Sequence, residues 1–172
     1  LYRGCDHDCQ YCLYRRDTTF GKEVSASTNG NVERILQEAL EQLEGVFGIF
    51  YLGATSDIYQ PLEAKLEDTR RTLQIFVQKE LPIVLGTKSD LILRDMDLLV
   101  KLASKGLVEV SVTAVTLNEQ LSCAIETNAP SITRRLEAVR QMTNRGISVN
   151  YHVAPFIPGH FSDCDLREFT SV

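Results

Sequence analysis

Three cysteines near the start of the chain are spaced closely enough to bind a single metal centre. Cys5, Cys9 and Cys12 form a C-x3-C-x2-C pattern within eight residues. Thiolates are soft ligands that suit iron–sulfur clusters, zinc and copper(I). When three cysteines hold a cluster of four irons, one iron stays open and can bind and activate a small molecule. The spacing therefore predicts a metal centre with chemistry of its own.

A zinc site is the alternative interpretation of the same segment. His7 would join the three cysteines as the fourth ligand. Structural zinc sites usually combine two ligand pairs separated by a longer loop, and no second pair follows in the sequence. The spacing therefore favours a cluster over zinc, and both favour metal binding over an accidental group of cysteines.

The rest of the composition is that of a globular protein. The two other cysteines, Cys123 and Cys164, bring the count to five. An odd count without a secretory signal argues against a disulfide framework. Hydrophobic residues make up 44% of the 172 residues, and no apolar run approaches the ~20 residues that span a bilayer. We expect a soluble, cytoplasmic protein without a membrane partner.

The charge pattern does not indicate a nucleic-acid partner. The formal net charge is −5, and Lys and Arg are spread along the chain. Nucleic-acid binders usually present a basic face, because phosphate contacts supply most of their non-specific affinity. Folding could still gather the scattered basic residues, so the charge weakens a nucleic-acid role without excluding it.

Helix-like and strand-like segments alternate along the chain. Apolar residues recur at helical spacing in 31–43, 61–77, 95–103 and 131–143, and short apolar runs at 46–52, 81–85, 107–115 and 147–156 are typical of buried strands. This alternation predicts an α/β fold with parallel strands and helices outside. The polar stretch 15–30 is expected to be a loop over the top of the sheet.

An open doubly wound sheet and a (β/α) barrel share this pattern. The polar clusters follow the strands, which slightly favours a barrel, because barrel enzymes build their sites at the carboxyl ends of strands. Five strands are recognisable or implied, fewer than in a full barrel. We predict a partial (β/α) barrel forming one domain over residues 1–172, as a fragment truncated at both ends.

Four polar clusters follow or end the predicted strands. They comprise 53–57 (GATSD), 87–89 (TKS), Ser111 with Thr113, and 155–159 (PFIPG). Lys88 offers a flexible cation suited to a carboxylate, and Asp57 could pair with an ammonium group. Ser111 and Thr113 lie on one strand face and need partners in a buried strand. The same residues also allow a helix cap at Ser56 or Asp57, a solvated lysine and a simple strand end.

The cysteine pattern, with the aromatic Tyr11 just before the last cysteine, resembles the fingerprint of radical S-adenosylmethionine (SAM) enzymes. Six segments in order resemble the spore photoproduct lyase-like family of that superfamily. They are GCDHDCQYC at 4–12, GATSDIYQPLE at 53–63, TKSDLILRD at 87–95, SVT at 111–113, ETNAPSITRRLEAV at 126–139 and VAPFIPG at 153–159. The fold implied is the partial barrel of the radical SAM type.

The resemblance implies a 4Fe–4S cluster and SAM as cofactors. Cys5, Cys9 and Cys12 would bind the cluster, whose open iron binds the methionyl group of SAM. Tyr11 would contact the adenine, and Ile157 would pack on it. The implied activity is reductive cleavage of SAM to methionine and a 5′-deoxyadenosyl radical, which abstracts hydrogen from an unidentified substrate. A reductant such as flavodoxin or ferredoxin would supply the electron.

The resemblance also implies which residues bind the rest of SAM. Ser56 and Asp57 would lie near the methionyl group. Lys88 and Ser111 would hold the carboxylate and ribose side. Thr113, on the same strand face as Ser111, completes the predicted cofactor-binding set.

The sequence departs from the family pattern at two places. Pro155 replaces the first glycine of the adenine-binding motif, and Ser162 replaces its glutamate. Spore photoproduct lyases place a hydrogen-donating cysteine before the T-S-D triplet, where this chain has Ala54. A methyl group cannot donate that hydrogen, which counts against a DNA photolesion lyase. Two further matches, Glu126 and Arg135, are explained equally well as an ion pair.

Three functions therefore stand as hypotheses. The first is a radical SAM enzyme of the lyase-like family with an unidentified substrate. The second is a DNA photolesion lyase that uses the same chemistry. The third is a non-catalytic zinc- or iron–sulfur-binding structural module, in which the placements of Lys88 and Ser111 would have no role.

Overall fold

The computed structural model describes residues 1–16, 24–26, 30–43, 48–158 and 167, and the following account concerns these residues. The strands are β1 (Tyr2–Arg3), β2 (Ser25–Ala26), β3 (Phe50–Leu52), β4 (Ile83–Thr87), β5 (Val108–Thr113) and β6 (Ser148–His152). The α-helices are α1 (Leu13–Arg16), α2 (Val32–Gln42), α3 (Glu63–Leu66), α4 (Asp68–Lys79), α5 (Met96–Ala103), α6 (Glu119–Ile125) and α7 (Ile132–Thr143). A 3₁₀ helix spans Asp90–Asp95.

Four of these strands form a parallel sheet in the order β3-β4-β5-β6. Spatial order follows chain order, with helices between consecutive strands. This confirms the α/β fold with a parallel sheet and agrees with a partial barrel of the radical SAM type. Within the described part of the chain, β1 does not join this sheet but pairs with β2 in an antiparallel ribbon.

The two faces of the sheet differ in chemistry. One face packs against the helices, for example through Phe50 and Phe76, whose rings meet edge to face with centroids 5.1 Å apart. Leu85 and Val110 of the central strands are fully buried in the same core. Strand side chains alternate between faces, so the opposite face carries the intervening residues. The apolar face therefore fixes the sheet and leaves the other face for a site.

The helix predicted over 61–77 consists of two helices, α3 and α4. Glu67 between them has a left-handed backbone with φ of 55°. The carboxylate of Glu63 accepts hydrogen bonds from the backbone N–H groups of Thr69 (2.9 Å) and Arg70 (3.3 Å), which lie in the first turn of α4. Since these N–H groups lack partners within a helix, the Glu63 side chain stabilises a new helix start.

Helix α6 and strand β2 are among the elements that were not predicted from the sequence. Helix α6 begins after Asn118, whose side chain accepts a hydrogen bond from Leu121 N–H at 3.0 Å. Within the stretch expected to be a loop, residues 17–23 and 27–29 lie outside the described residues, while Ser25–Ala26 forms β2.

Among the helices described, none is both long and apolar enough to cross a membrane.

Candidate cofactor site

A cavity of about 500 Å³ lies where the carboxyl ends of the four parallel strands meet the cysteine loop. This volume is typical of small-molecule sites. The predicted site residues that line it are Cys5, Cys9, Cys12, Tyr11, Asp57, Lys88 and Thr113. Gly53 and Ala54 after β3, Gly86 in β4 and His152 at the end of β6 also line it. Elements far apart in sequence thus converge on one space.

The cysteine loop, residues 4–12, is held by hydrogen bonds from two other segments. Gln10 N–H donates to the carbonyl of Ile125 at 2.8 Å, at the end of α6. On the other side, Asp6 N–H donates to the side-chain oxygen of Gln60 at 3.0 Å. Because Gln60 is fully buried, this contact fixes the loop against the segment between β3 and α3.

A buried histidine and a buried aspartate connect the loop to β4. His7 Nδ1 lies 3.3 Å from Asp57 Oδ2. Asp57 also accepts hydrogen bonds from Thr87 Oγ1 and Lys88 N–H, each at 2.7 Å, and from Tyr59 N–H at 2.8 Å. Burial acts to raise the pKa of Asp57, but His7 and the hydrogen bonds outweigh it and lower that pKa to about 2. Asp57 is therefore an ionised anchor.

A second buried carboxylate, Glu126, lies behind the loop. It accepts a hydrogen bond from the Tyr11 hydroxyl, and its backbone forms an antiparallel bridge with Cys9. Arg135 Nη2 lies 2.7 Å from Glu126 Oε2, and both side chains are 1% exposed. Burial, followed by the charge of Glu126 and the hydrogen bond to it, raises the pKa of the Tyr11 phenol. Tyr11 is therefore a neutral hydrogen-bond donor.

The three cysteine thiols of the loop are the candidate metal ligands. All three are free and face the same cavity. In the described residues, however, no three His, Cys, Asp or Glu side chains are grouped as ligands of one metal ion. His7, the proposed fourth zinc ligand, turns Nδ1 to Asp57.

Burial also affects the protonation of the thiols. Burial raises the pKa of Cys5 to about 12. Burial is also the largest effect on Cys9 and raises its pKa, although the nearby charge of Lys88 acts to lower it. Metal ligation requires thiolates, so binding a metal centre here must release protons.

Three predicted residues do not line the cavity. Ser56 donates its hydroxyl to the carbonyl of Tyr2 at 3.0 Å and so fixes β1, the strand before the cysteine loop. Ser111 is buried within β5, and Ile157 is partly buried beyond β6. Their predicted SAM contacts stay predictions. Ser162 and Cys164 lie outside the described residues.

Sequence reasoning missed other residues of the site. No sequence motif indicated that Tyr51 and His152 line the cavity. No motif indicated that His7 contacts Asp57 either. A strand-register argument could have found Tyr51, because it alternates with the core residues Phe50 and Leu52. The pairing of His7 with Asp57 joins positions fifty residues apart, which a single sequence does not reveal.

Residues 1–170 match the family model described as the radical SAM superfamily. The chain belongs to this superfamily, whose members use a 4Fe–4S cluster and SAM, so membership implies both cofactors.

Among curated proteins, the chain is similar to three uncharacterized relatives. It is 32% identical over 160 residues to protein MJ0683 of Methanocaldococcus jannaschii, covering 91% of this chain and 59% of that protein. It is 26% identical over 166 residues to Rv2578c of Mycobacterium tuberculosis (91% and 48%) and 27% identical over 180 residues to ORF301 of Acidianus two-tailed virus (96% and 57%). The chain spans about half the length of these relatives.

Among solved structures, the chain is similar to spore photoproduct lyase. One variant of that enzyme matches with a TM-score of 0.80 at 16% identity, covering 99% of this chain and 49% of that chain. Another variant, with bound AdoMet and dinucleoside spore photoproduct, matches with a TM-score of 0.74 at 18% identity, covering 90% and 44%. At these identities, the likeness establishes a common fold.

Proposed function

We propose that this chain is the cofactor-binding core of an enzyme that cleaves SAM reductively to abstract hydrogen from a substrate. The observation that carries the proposal is the single cavity that brings Cys5, Cys9 and Cys12 together with Lys88 and Tyr11. A cluster and SAM bound there would supply a 5′-deoxyadenosyl radical. A low-potential reductant, such as flavodoxin or ferredoxin, would supply the electron.

The chain's own residues have distinct tasks in this proposal. The three thiolates hold the cluster, and Lys88 binds the carboxylate of SAM. Tyr11 and Ile157 support the adenine, and Ser111 helps to hold the carboxylate and ribose side, with Thr113 on the same face of β5. Asp57 and Ser56 act indirectly near the methionyl group, because their side chains bond to Lys88 N–H and the Tyr2 carbonyl.

The inner face of the sheet supports a substrate position beside the cofactors. The register aligns Gly86 with Ser111, and Ser111 with Asn150, while Thr113 aligns with His152. Gly86 has no side chain, and the hydroxyl of Tyr51 lies over it, 2.7 Å from where a Cβ would stand. His152 and Asn150 are exposed on this face and offer hydrogen-bonding groups to a polar substrate.

The proposal is tested by anaerobic reconstitution of the protein with iron and sulfide, followed by reduction in the presence of SAM. We expect a brown protein that forms 5′-deoxyadenosine, detected by chromatography, and a Cys9→Ser variant that forms none. A colourless protein that binds zinc stoichiometrically and leaves SAM intact would support the structural-module hypothesis instead.

A DNA photolesion lyase is the second candidate, favoured by the fold it has in common with spore photoproduct lyase. Ala54 lines the cavity and provides no thiol to return hydrogen to a substrate radical. The distinguishing assay is incubation of the reconstituted protein with dimer-containing DNA. SAM cleavage without repair would remove this candidate and leave the broader proposal intact.

A further inference from the structure

Glu126 is a buried carboxylate that contacts two residues of the cavity wall. Its Oε1 accepts a hydrogen bond from the hydroxyl of Tyr11 and lies 4.0 Å from Nζ of Lys88. Its Oε2 accepts a hydrogen bond from Ser122 Oγ at 3.2 Å. A buried charge costs several kcal/mol unless it is paired and hydrogen-bonded. Glu126 therefore needs a counter-ion close to its carboxylate.

Arg135 supplies the permanent counter-ion. Its Nη2 lies 2.7 Å from Glu126 Oε2, while Nη1 donates to the carbonyl of Thr113 at 3.0 Å and Nε to the carbonyl of Pro130 at 2.8 Å. Nε and Nη1 of the guanidinium are thus hydrogen-bonded, Nη2 is in ion-pair contact with Glu126, and the side chain is 1% exposed. Because Thr113 ends β5, these bonds fix Glu126 relative to the carboxyl edge of the sheet.

Lys88 is oriented by Glu126 without being neutralised by it. One carboxylate faces two cations, and the short contact belongs to Arg135. The Lys88 Nζ lies at the outer limit of an ion pair, 4.0 Å from Oε1, and 5.7 Å from the centre of the Tyr11 ring. Its side chain is 17% exposed and lines the cavity. A positive charge therefore faces the cavity from a defined position.

We propose that Glu126 is a positioning residue that holds the Lys88 ammonium and the Tyr11 phenol so that Lys88 binds the carboxylate of the amino-acid part of SAM. The inference rests on the function proposed above. The competing explanation is that Glu126 only neutralises the buried Arg135 and acts on ligand binding through general stability.

The test compares SAM with its decarboxylated analogue, which lacks the group that Lys88 is proposed to bind. Dissociation constants for both ligands are measured by calorimetry on the cluster-reconstituted protein, with iron content recorded for every variant. The ratio of the two constants reports recognition of the carboxylate. A purely structural defect weakens both ligands alike and leaves the ratio unchanged.

We expect Lys88→Met and Glu126→Gln each to reduce the preference for SAM about tenfold or more, with Glu126→Asp intermediate. Tyr11→Phe, which removes one hydrogen bond to Glu126, should reduce it by a smaller factor. Glu137→Gln is the matched control, because Glu137 is an exposed residue on the same helix as Arg135. This control should retain the wild-type ratio.

A double variant covers the case in which Glu126→Gln fails to fold because Arg135 is left unpaired. Glu126→Gln with Arg135→Met removes both buried charges. The proposal expects the preference for SAM to be lost in this variant too, whereas a purely structural role expects the wild-type ratio. A wild-type ratio in the double variant, or in Lys88→Met, overturns the inference while SAM binding itself survives. A wild-type protein that binds no SAM overturns the proposed function as well.

Discussion

Nδ1 of His7 lies 3.3 Å from Oδ2 of Asp57, and both side chains are buried. His7 stands between Cys5 and Cys9 in the cysteine loop. The same Asp57 oxygen accepts the N–H of Lys88 at 2.7 Å. One carboxylate therefore connects the loop proposed to hold the cluster with the residue proposed to bind SAM.

Replacing this anchor should destabilise both the fold and the cysteine loop. We expect Asp57→Asn to lower the free energy of unfolding by about 3 kcal/mol, because hydrogen bonds to a buried charge are lost. Iron incorporation should fall as well, since His7 loses its partner. Urea unfolding of the metal-free protein and iron per chain after reconstitution measure the two effects.

The matched control is Asp97→Asn. Asp97 pairs with Arg70 at 3.0 Å, but its side chain is 52% exposed. A surface pair of this kind contributes about 0–1 kcal/mol. Equal stability losses in the two variants, or normal iron content in Asp57→Asn, would contradict the role assigned to Asp57.

A second anchor holds the strand that precedes the loop. Buried Glu63 accepts a hydrogen bond from the Tyr2 hydroxyl and lies 2.5 Å from Arg94 Nη2. Arg94 is also paired with Asp95 at 2.8 Å, so it keeps a counter-ion when Glu63 is replaced. Glu63→Gln should still cost about 2 kcal/mol, because hydrogen bonds to a buried charged group are lost. Thermal or urea unfolding measures this cost against that of Glu38→Gln, which removes an exposed helix pair with Arg34 and should cost about 0.5 kcal/mol or less. A loss no larger than that of the control would show that the carboxylate of Glu63 does not anchor β1.

The sequence predicted the elements whose signals are local. Alternating apolar and helical patterns located the four parallel strands to within a few residues, because burial on one face repeats at the period of each element. The helix break at Glu67 could not be read in this way. It depends on Glu63 capping α4 while also bonding Tyr2, a contact that exists only in the folded chain.

The sequence predicted which residues form the site better than it predicted the contacts between them. The cysteines, Lys88 and Tyr11 belong to a recognisable pattern, and the structure brings them to one cavity. The roles of Asp57 and Glu126 as anchors depend on which side chains fold against them. An ion pair between Glu126 and Arg135 was one interpretation of the sequence, and the structure contains it. His7 lies fifty residues from Asp57 in the sequence, and only the structure pairs them.

The exposure of the thiols predicts an order of chemical labelling. Cys123 is exposed, whereas Cys9 is 8% exposed and burial raises its pKa. Thiolates react with alkylating reagents, so a buried thiol of raised pKa reacts slowly. In the metal-free protein, mass spectrometry should find iodoacetamide on Cys123 well before Cys9. Cys123→Ser should remove the fast adduct; Cys9 labelled as fast as Cys123 would mean that the loop is open.

Two glycines at the base of the cavity should respond differently to an added methyl group. Gly53 has φ of +100°, and a Cβ there would lie 2.1 Å from the carbonyl oxygen of Gly86. Backbone strain and this collision with backbone should make Gly53→Ala cost about 3 kcal/mol or more. A Cβ on Gly86 would lie 2.7 Å from the Tyr51 hydroxyl, which is the end of a movable side chain.

Gly86→Ala should therefore cost about 1 kcal/mol or less, since the half-exposed Tyr51 can turn away and alanine reduces the entropy of the unfolded chain. Urea unfolding of the two single variants measures the contrast. Tyr51→Phe combined with Gly86→Ala removes the colliding hydroxyl and should recover part of any loss. If Gly86→Ala costs as much as Gly53→Ala and Tyr51→Phe recovers nothing, Tyr51 does not lie over Gly86, and the cavity has a different base.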